Sequence, residues 1–294
     1  MICDQESNIV YLSDLLEMKC PEFYDQLIQR FDKFRIKYEI LSGTKDLWVR
    51  DFMPIQVTNH FFVQYKYDPD YLKIKKYQNT KSDPEVLLKT LGILPNRVGI
   101  VLDGGNIVKS KTKVIITSKV FKENPDFPER NLIVEIKNQL RVKQVIVIPH
   151  EPRDLVGHAD GMVRFVNENT VLVNRYPKNK VYLEFGYALR CSLMNAGLRI
   201  IDLPYTSWQN NDSNDATGCY INFLEVGNYI IYPVYAQLGD QIAEIALRSA
   251  FPNRELIDID CQELAKLGGV LNCATWNIQR RLTGIIDGFN SPPN

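Results

Sequence analysis

The stretch Gly161-Met-Val-Arg-Phe-Val-Asn-Glu-Asn-Thr-Val-Leu-Val173 predicts two short strands around a polar turn at residues 167–169. Runs of β-branched and aromatic residues on both sides of a turn are typical of a β-hairpin. The same pattern occurs in three other stretches, at residues 53–65, 106–117 and 220–232. The hairpin therefore recurs four times along the chain, which indicates an internal repeat.

Each hairpin is followed by a helix-like segment and then by a short apolar strand. After the hairpin at 161–173, the helix is predicted over 180–198 and the strand over 199–203. The helix and strand of the other repeats are predicted at 84–91 and 98–102, at 128–140 and 144–148, and at 240–251 and 255–259. Pro84 and Pro128 are expected in the first turn of their helices, where a missing N–H breaks no hydrogen bond. The unit is strand, strand, helix, strand, with a period of about 50 to 60 residues.

Four such units arranged around an axis would need a fifth to close a ring. The stretch Gly268-Gly-Val-Leu-Asn-Cys-Ala-Thr-Trp276 is expected to supply one strand of it, completed by residues 8–12. Closure of this kind protects the edges of sheets. The repeat alone also fits an ordinary α/β sandwich with irregular hairpins, so both architectures stay open at this point. No linker interrupts the chain, which favours a single domain over residues 1–294.

The composition indicates a soluble protein without a nucleic-acid or membrane partner. Lys+Arg and Asp+Glu both number 35, so the formal net charge is zero and no overall field attracts polyanions. Apolar residues make up 45% of the 294 residues, enough for a large core, and no apolar run is long enough to span a bilayer. The first residues lack the basic and apolar regions of a secretory signal, which favours a cytoplasmic protein. A homo-oligomer is left open.

The cysteine and histidine content argues against disulfides and metal sites. The chain has 6 cysteines, and none of them forms a Cys-x-x-Cys pair. In a long, core-rich chain without a secretory signal, reduced thiols are expected. The 3 histidines supply a multi-histidine metal site poorly. We therefore expect no metal.

Three aspartates open successive hairpins, and each of them lies in a short motif. Asp51 ends Trp48-Val-Arg-Asp51, and Asp103 lies in Leu102-Asp-Gly-Gly-Asn106. If the repeats surround one axis, equivalent positions meet at its centre, and the carboxylates of Asp51, Asp103 and Asp160 would meet there. The alternatives are a core tryptophan with a surface Arg–Asp pair, and a glycine pair that only makes a tight turn.

Two further motifs add an imidazole and a thiol. In Gly157-His-Ala-Asp160, residues two apart in an extended segment project to the same face, so His158 and Asp160 would enter one cavity. The alternatives are a structural histidine or half a metal site. In Gly268-Gly-Val-Leu-Asn-Cys273, the glycine pair ahead of Cys273 favours a nucleophile over an inert core cysteine. The other five cysteines lack such surroundings and are interpreted as structural.

Together, the W-x-R-D, L-[ED]-G-G, G-H-x-D and G-G-x-x-x-C motifs resemble the guanidine-modifying superfamily. The resemblance is closest to agmatine deiminase and the bacterial-type peptidylarginine deiminase, and it runs from Trp48 to Thr275 in the family's order. It implies a five-bladed, pseudo-symmetric α/β propeller. Two residues depart from the family: Asp103 stands where glutamate is usual, and Asn272 stands where histidine often precedes the cysteine. The chain is also shorter than typical agmatine deiminases, which leaves the recognition of the substrate's tail open.

The resemblance implies cysteine-dependent hydrolysis of a guanidine, most closely of agmatine to N-carbamoylputrescine and ammonia. Asp51 and Asp160 would bind the guanidinium, Cys273 would attack its carbon, and His158 would act as acid and then as base. Asp103 would orient His158 or hold the substrate, and Trp48 would line the pocket. No organic cofactor is implied.

Three other functions stay open. The substrate could instead be arginine or peptidyl arginine, or the amidino group could pass to an amine instead of water. The chain could also be a non-catalytic propeller that binds a ligand. The presence of a nucleophile, an acid and several carboxylates together argues against this last alternative.

Overall fold

The computed structural model describes residues 1–280, which fold into fifteen strands and nine α-helices. The described chain begins with β1 (Ile9–Ser13), α1 (Leu16–Lys19), α2 (Pro21–Phe34) and β2 (Lys37–Leu41). The elements that follow, in chain order, are α3 (Val49–Phe52), β3 (Ile55–Thr58), β4 (Phe61–Lys66), α4 (Pro84–Thr90), β5 (Asn96–Val101), β6 (Val108–Lys109), β7 (Lys113–Thr117), α5 (Lys119–Glu123), α6 (Glu129–Leu140), β8 (Gln144–Ile148), β9 (Val163–Asn167), β10 (Thr170–Asn174), α7 (Leu183–Asn195), β11 (Arg199–Leu203), β12 (Leu224–Val226), β13 (Tyr229–Val234), α8 (Leu238–Ala250), β14 (Glu255–Asp260), α9 (Gln262–Ala265) and β15 (Thr275–Ile278). Two 3-10 turns, Gly104–Asn106 and Ala159–Gly161, precede β6 and β9.

The strands form five three-stranded sheets that share one connection pattern. In four of them an antiparallel hairpin is followed, after a helix, by a third strand parallel to the second. These sheets are β3-β4-β5, β6-β7-β8, β9-β10-β11 and β12-β13-β14. The four predicted repeats are therefore confirmed.

The fifth sheet joins the beginning and the end of the described chain, as predicted. β15 pairs antiparallel with β1, with Ile9 opposite Ile278, and β1 pairs parallel with β2. This sheet closes a five-bladed α/β propeller. The predicted start of its last strand is wrong: Gly268 has a φ of +110° and the following residues form turns, so β15 begins only at Thr275.

Burial separates the inner strands from the outer ones. All three residues of β12, a first strand, are buried, whereas only Leu41 is buried in β2, a third strand. Helices cover the outer strands with one apolar face; α6, for example, buries Leu132, Ile136 and Leu140. The first strand of each blade therefore faces the axis, and the residues that precede these strands are brought to the centre.

The two prolines occupy slightly different helix positions. Pro84 is the first residue of α4, as predicted, and the Asp83 side chain accepts the N–H of Glu85. Pro128 instead precedes α6 by one residue, because its carbonyl already accepts the first helical hydrogen bond, from Leu132.

The end of the predicted domain, residues 281–294, lies outside the described residues. Within residues 1–280, every helix is too short or too polar to cross a bilayer.

Candidate active site

The predicted site residues lie just before the first strands of their blades. Asp51 belongs to α3, which precedes β3; Asp103 directly precedes the turn before β6; and Asp160 lies in the turn before β9. Cys273 lies two residues before β15. Because equivalent positions meet at the axis, these side chains come together with His158. We call the side chains of Asp51, Asp103, His158, Asp160 and Cys273 the acid cluster.

His158 lies between two carboxylates. Its Nε2 is 2.9 Å from Asp103 Oδ2, and its Nδ1 is 3.4 Å from Asp51 Oδ1. The Tyr71 hydroxyl donates to the same Asp103 oxygen at 3.3 Å, and the Tyr71 ring packs edge-on against the imidazole. All four residues are buried, so the orientation of the imidazole is fixed on both sides.

Cys273 lies beside Asp160. Its Sγ is 3.6 Å from Asp160 Oδ2, and Asn272 Nδ2 donates to that same oxygen at 2.7 Å. The Cys273 N–H donates to Asn222 Oδ1 at 3.2 Å, and the Asn222 amide donates to the Asp160 carbonyl at 3.4 Å. Two asparagines therefore hold the thiol and the carboxylate in place. The sequence analysis assigned a role to neither, although Asn272 lies in the motif of Cys273 and Asn222 at the start of a predicted hairpin.

Arg50 connects the Trp48–Asp51 motif to the cysteine loop. Its backbone N–H donates to the Cys273 carbonyl and its Nε to the Asn272 carbonyl, both at 3.2 Å. A further guanidinium nitrogen donates to Asn277 Oδ1 at 2.5 Å. Arg50 is 5% exposed, so the alternative of a surface Arg–Asp pair is wrong.

One glycine of each pair leaves space for a side chain of the site, as the position of an added Cβ shows. A Cβ on Gly105 would lie 2.5 Å from Asp51 Oδ1 and 2.6 Å from His158 Nδ1. A Cβ on Gly269 would lie 2.6 Å from the indole of Trp48. Gly105 and Gly269 are therefore required by close packing inside the site.

The acid cluster holds more negative charge than the protein neutralises. Among the described residues, no lysine or arginine nitrogen lies within 4.0 Å of the three carboxylates of the acid cluster. The one basic group within that distance is the His158 imidazole, which contacts Asp51 and Asp103. Burial lowers the pKa of His158, but Asp51 and Asp103 outweigh it and raise that pKa to about 9. Burial, together with Asp103 and Asp160, raises the pKa of Asp51. Burial and the carboxylates of Asp160 and Asp51 raise the pKa of Cys273 well above its ordinary value.

A cavity of about 520 Å³ opens onto the acid cluster. Trp48, Asp51, His158, Asp160 and Cys273 are part of its wall. Asp103 lies behind His158, away from the cavity wall, because the Nε2 side of the ring faces it. This placement favours the orienting role that the sequence analysis considered for Asp103 over direct contact with a substrate.

Among the other cysteines, Cys219 also lies in the wall of this cavity, whereas Cys3, Cys20, Cys191 and Cys261 lie outside it. Cys3, Cys20, Cys219 and Cys261 are buried, and Cys191 is half-buried in α7. All six thiols are free.

A second group of charges, some buried and some half-buried, adjoins the acid cluster, and there each acid has a basic partner. Asp4 lies 3.2 Å from both Lys109 Nζ and an Arg164 nitrogen, and Glu225 lies 3.0 Å from an Arg254 nitrogen. Burial raises the pKa of Asp4, but the basic groups, Lys109 first, lower it to about 2. We call the side chains of Asp4, Lys109, Arg164, Glu225 and Arg254 the ion-pair cluster.

The comparison with known proteins agrees with this fold. The sequence profile of the family described as Porphyromonas-type peptidyl-arginine deiminase matches residues 14–278. The chain belongs to this family. A Shewanella baltica protein named "Putative agmatine deiminase" is 24% identical over 227 residues, which cover 65% of this chain and 60% of that protein. The chain thus spans about 60% of the length of this curated relative.

Solved structures match this family member over nearly its whole length. C. jejuni agmatine deiminase superposes with a TM-score of 0.78 at 21% identity, covering 95% of this chain and 96% of that chain. A Cys→Ser variant of that protein with substrate bound gives a TM-score of 0.76 at 20% identity and covers the same shares of both chains. At these identities the likeness shows the fold, and the five-bladed propeller is confirmed.

Proposed function

We propose that this protein is a cysteine-dependent hydrolase that deiminates a guanidine and releases ammonia. The observation that carries the proposal is the acid cluster, in which a thiol, an imidazole and two carboxylates meet at one cavity and a third carboxylate, Asp103, lies behind the imidazole. The described residues bring no lysine or arginine to these carboxylates. A guanidinium fits such a site, because it is a planar cation whose nitrogens donate several hydrogen bonds to carboxylates.

In this proposal, binding and activation of the thiol are linked. Asp51 and Asp160 accept charge-assisted hydrogen bonds from the guanidinium nitrogens, which places the central carbon against Cys273 Sγ. The bound cation lowers the pKa of Cys273, because nearby positive charge stabilises a thiolate. Trp48, in the same wall, offers an aromatic face to the cation.

Two chemical steps follow at the same carbon. In the first step, the Cys273 thiolate forms a C–S bond with the guanidinium carbon, and His158 donates its proton to the departing nitrogen. The C–N bond then breaks and ammonia departs, so that an S-alkylthiouronium remains on the enzyme. Neutral His158 then removes a proton from water, the hydroxide adds to the carbon, and the C–S bond breaks to give a ureido product. Asp103 orients the imidazole and favours its protonated form. The scheme uses no metal and no organic cofactor.

Agmatine is the substrate that we propose first. Support comes from relatives named as agmatine deiminases and from the fold shared with the substrate-bound C. jejuni agmatine deiminase variant. Arginine or a peptidyl arginine is the second candidate, which the description of the matching family favours. All three share the guanidinium and differ in the group attached to it.

A substrate panel tests the function. Ammonia release is measured with agmatine, arginine and a peptidyl arginine side by side, with and without EDTA, and with an added amine acceptor. We expect turnover of at least one guanidine, best for agmatine, and no effect of EDTA. Absence of turnover with every guanidine would favour a binding protein, loss of activity on chelation would overturn the metal-free scheme, and an amidinated acceptor would indicate a transferase.

A further inference from the structure

A third buried carboxylate, Glu151, lies in the wall of the same cavity and is held by three phenols. Tyr205 and Tyr182 donate to its Oε1 at 2.8 Å and 3.2 Å, and Tyr176 donates to its Oε2 at 2.9 Å. The residue is 5% exposed. Both oxygens are thus fixed in position by neutral donors.

The charge of Glu151 has no basic partner among the described residues. No lysine, arginine or histidine nitrogen lies within 4.0 Å of it, and neighbouring Arg153 instead donates to the Trp208 carbonyl. Burial and the charge of Asp154 raise the pKa of Glu151 to about 7, although the three tyrosine hydrogen bonds lower it. A buried carboxylate is costly unless a cation compensates it, so an approaching cation would be bound strongly here.

The surroundings of Glu151 suit an organic ammonium. The rings of Tyr176 and Tyr182 stack with centroids 5.5 Å apart, and Tyr205 packs edge-on against Tyr176 at 5.1 Å. Glu151, Tyr182 and Tyr205 all line the cavity that the acid cluster lines. Aromatic rings around a carboxylate bind ammonium groups by cation–π and ionic attraction together.

Hydrogen bonds also connect Glu151 to the acid cluster. The Asn174 amide lies 3.4 Å from the Tyr176 hydroxyl and donates to the Gly161 carbonyl at 2.7 Å. Gly161 follows Asp160 in the same 3-10 turn. The carboxylate of Glu151 is therefore only a few side chains away from the group that we assign to the guanidinium.

We propose that Glu151 and its tyrosines form a second cation subsite, which binds the ammonium at the far end of a guanidino-amine substrate. This inference rests on the deiminase function proposed above and adds the group that determines tail specificity. It predicts that the enzyme selects its substrate by two positive charges at a set separation. A substrate with a neutral or anionic tail leaves the carboxylate of Glu151 uncompensated.

The test compares agmatine with n-butylguanidine, which keeps the guanidine and the four-carbon chain but has no ammonium. We expect Glu151→Gln to lower kcat/KM for agmatine by about ten- to a hundred-fold more than for butylguanidine, as expected when a charged hydrogen bond is lost. The loss should appear mainly in KM. The matched control is Asp212→Asn, an exposed carboxylate at the mouth of the cavity, which should leave the ratio between the two substrates unchanged.

A spacer series distinguishes recognition from a structural role. Wild type should prefer one length of ω-aminoalkylguanidine, and Glu151→Asp should shift that preference to a chain one methylene longer, because its carboxylate is withdrawn by one carbon. Equal losses on both substrates, or an unchanged preferred length, would overturn the subsite. Failure of wild type to turn over any guanidine would instead overturn the deiminase function.

Discussion

Asp51, which is buried, and Asp4, which is half-buried, both lie near the propeller axis, and their surroundings act on them in opposite ways. Burial raises the pKa of Asp51, and its one basic neighbour among the described residues is the His158 imidazole, which it shares with Asp103. Asp4 lies 3.2 Å from two permanent cations, Lys109 and Arg164, and these lower its pKa to about 2 in spite of burial. An aspartate therefore belongs to a stabilising ion pair in the ion-pair cluster. In the acid cluster, an aspartate belongs to a site that has too few positive charges to balance its carboxylates.

The contrast between the two clusters favours the acid cluster, and not the ion-pair cluster, as the site that binds a ligand. A protein that only needed a stable core would pair the acids of the acid cluster as it pairs those of the ion-pair cluster. Strongly perturbed ionisable groups that line a cavity are typical of binding and catalytic sites. The predictions below test whether the two clusters differ in this way.

The largest effect is expected from the thiol. Cys273→Ser should lower turnover by about 10⁴-fold or more, because the nucleophile of a covalent mechanism is lost. Guanidine binding, measured by calorimetry, should persist. Cys191→Ser is the matched control, since that thiol lies in α7 outside the cavity wall, and it should retain activity. Comparable activity of Cys273→Ser and wild type would contradict the assignment.

Replacement of Asp51 and replacement of Asp4 should change the stability of the fold in opposite directions. Asp51→Asn should abolish most activity yet raise the thermal midpoint, by an amount that grows from about pH 4 to about pH 8, because a carboxyl whose pKa is raised in the folded state costs stability over the range in which the unfolded chain is already ionised. Asp4→Asn should lower stability near neutral pH by about 2 kcal/mol, since a lowered pKa contributes stability that is present above the ordinary aspartate value and lost as the pH falls toward 2. Thermal melts and ammonia release measure both. A stability loss in both variants would remove the distinction between the clusters.

Crowding inside the acid cluster predicts an intermediate effect. Gly105→Ala places a methyl group against Asp51 and His158, and a displacement of about 1 Å should lower kcat by roughly 10²-fold. Gly99→Ala, where a Cβ meets nothing within 4 Å, is the control and should behave as wild type. Full activity of Gly105→Ala would show that the positions of these two side chains are not critical.

The smallest effect concerns pH. In the proposed mechanism His158 must be protonated to release ammonia, and burial lowers its pKa while Asp51 and Asp103 raise it to about 9. Asp103→Asn removes that charge, so the alkaline limb of kcat/KM should move about one to two pH units toward acid. An alkaline limb at the wild-type position would mean that Asp103 does not maintain the protonation of His158.

The sequence predicted the repeat and the convergence of the motifs, because both follow from local patterns. The hairpins show strand periodicity, and ring closure brings equivalent positions such as Asp51 and Asp160 to one axis. The partners of the site residues could not be predicted, because they are remote in the chain. Asn222 precedes Cys273 by 51 residues, and Arg50 reaches Asn277 across 227 residues.

Spacing also left the role of Asp103 open, since it does not show on which side of His158 the carboxylate lies. The tyrosine-bound Glu151 carried no motif at all. Its three partners come from the loop before α7, from the residue preceding that helix and from the loop after β11, which only the folded chain brings together.

Mass spectrometry of acid-quenched turnover tests the central claim most directly. Wild type and His158→Ala are mixed with agmatine, quenched and digested, and the cysteine peptides are weighed. We predict an adduct with the mass of the guanidine minus ammonia on the Cys273 peptide and on no other cysteine, longer-lived in His158→Ala because hydrolysis of the thiouronium lacks its base. Turnover with no adduct on Cys273 at any quench time would contradict the mechanism.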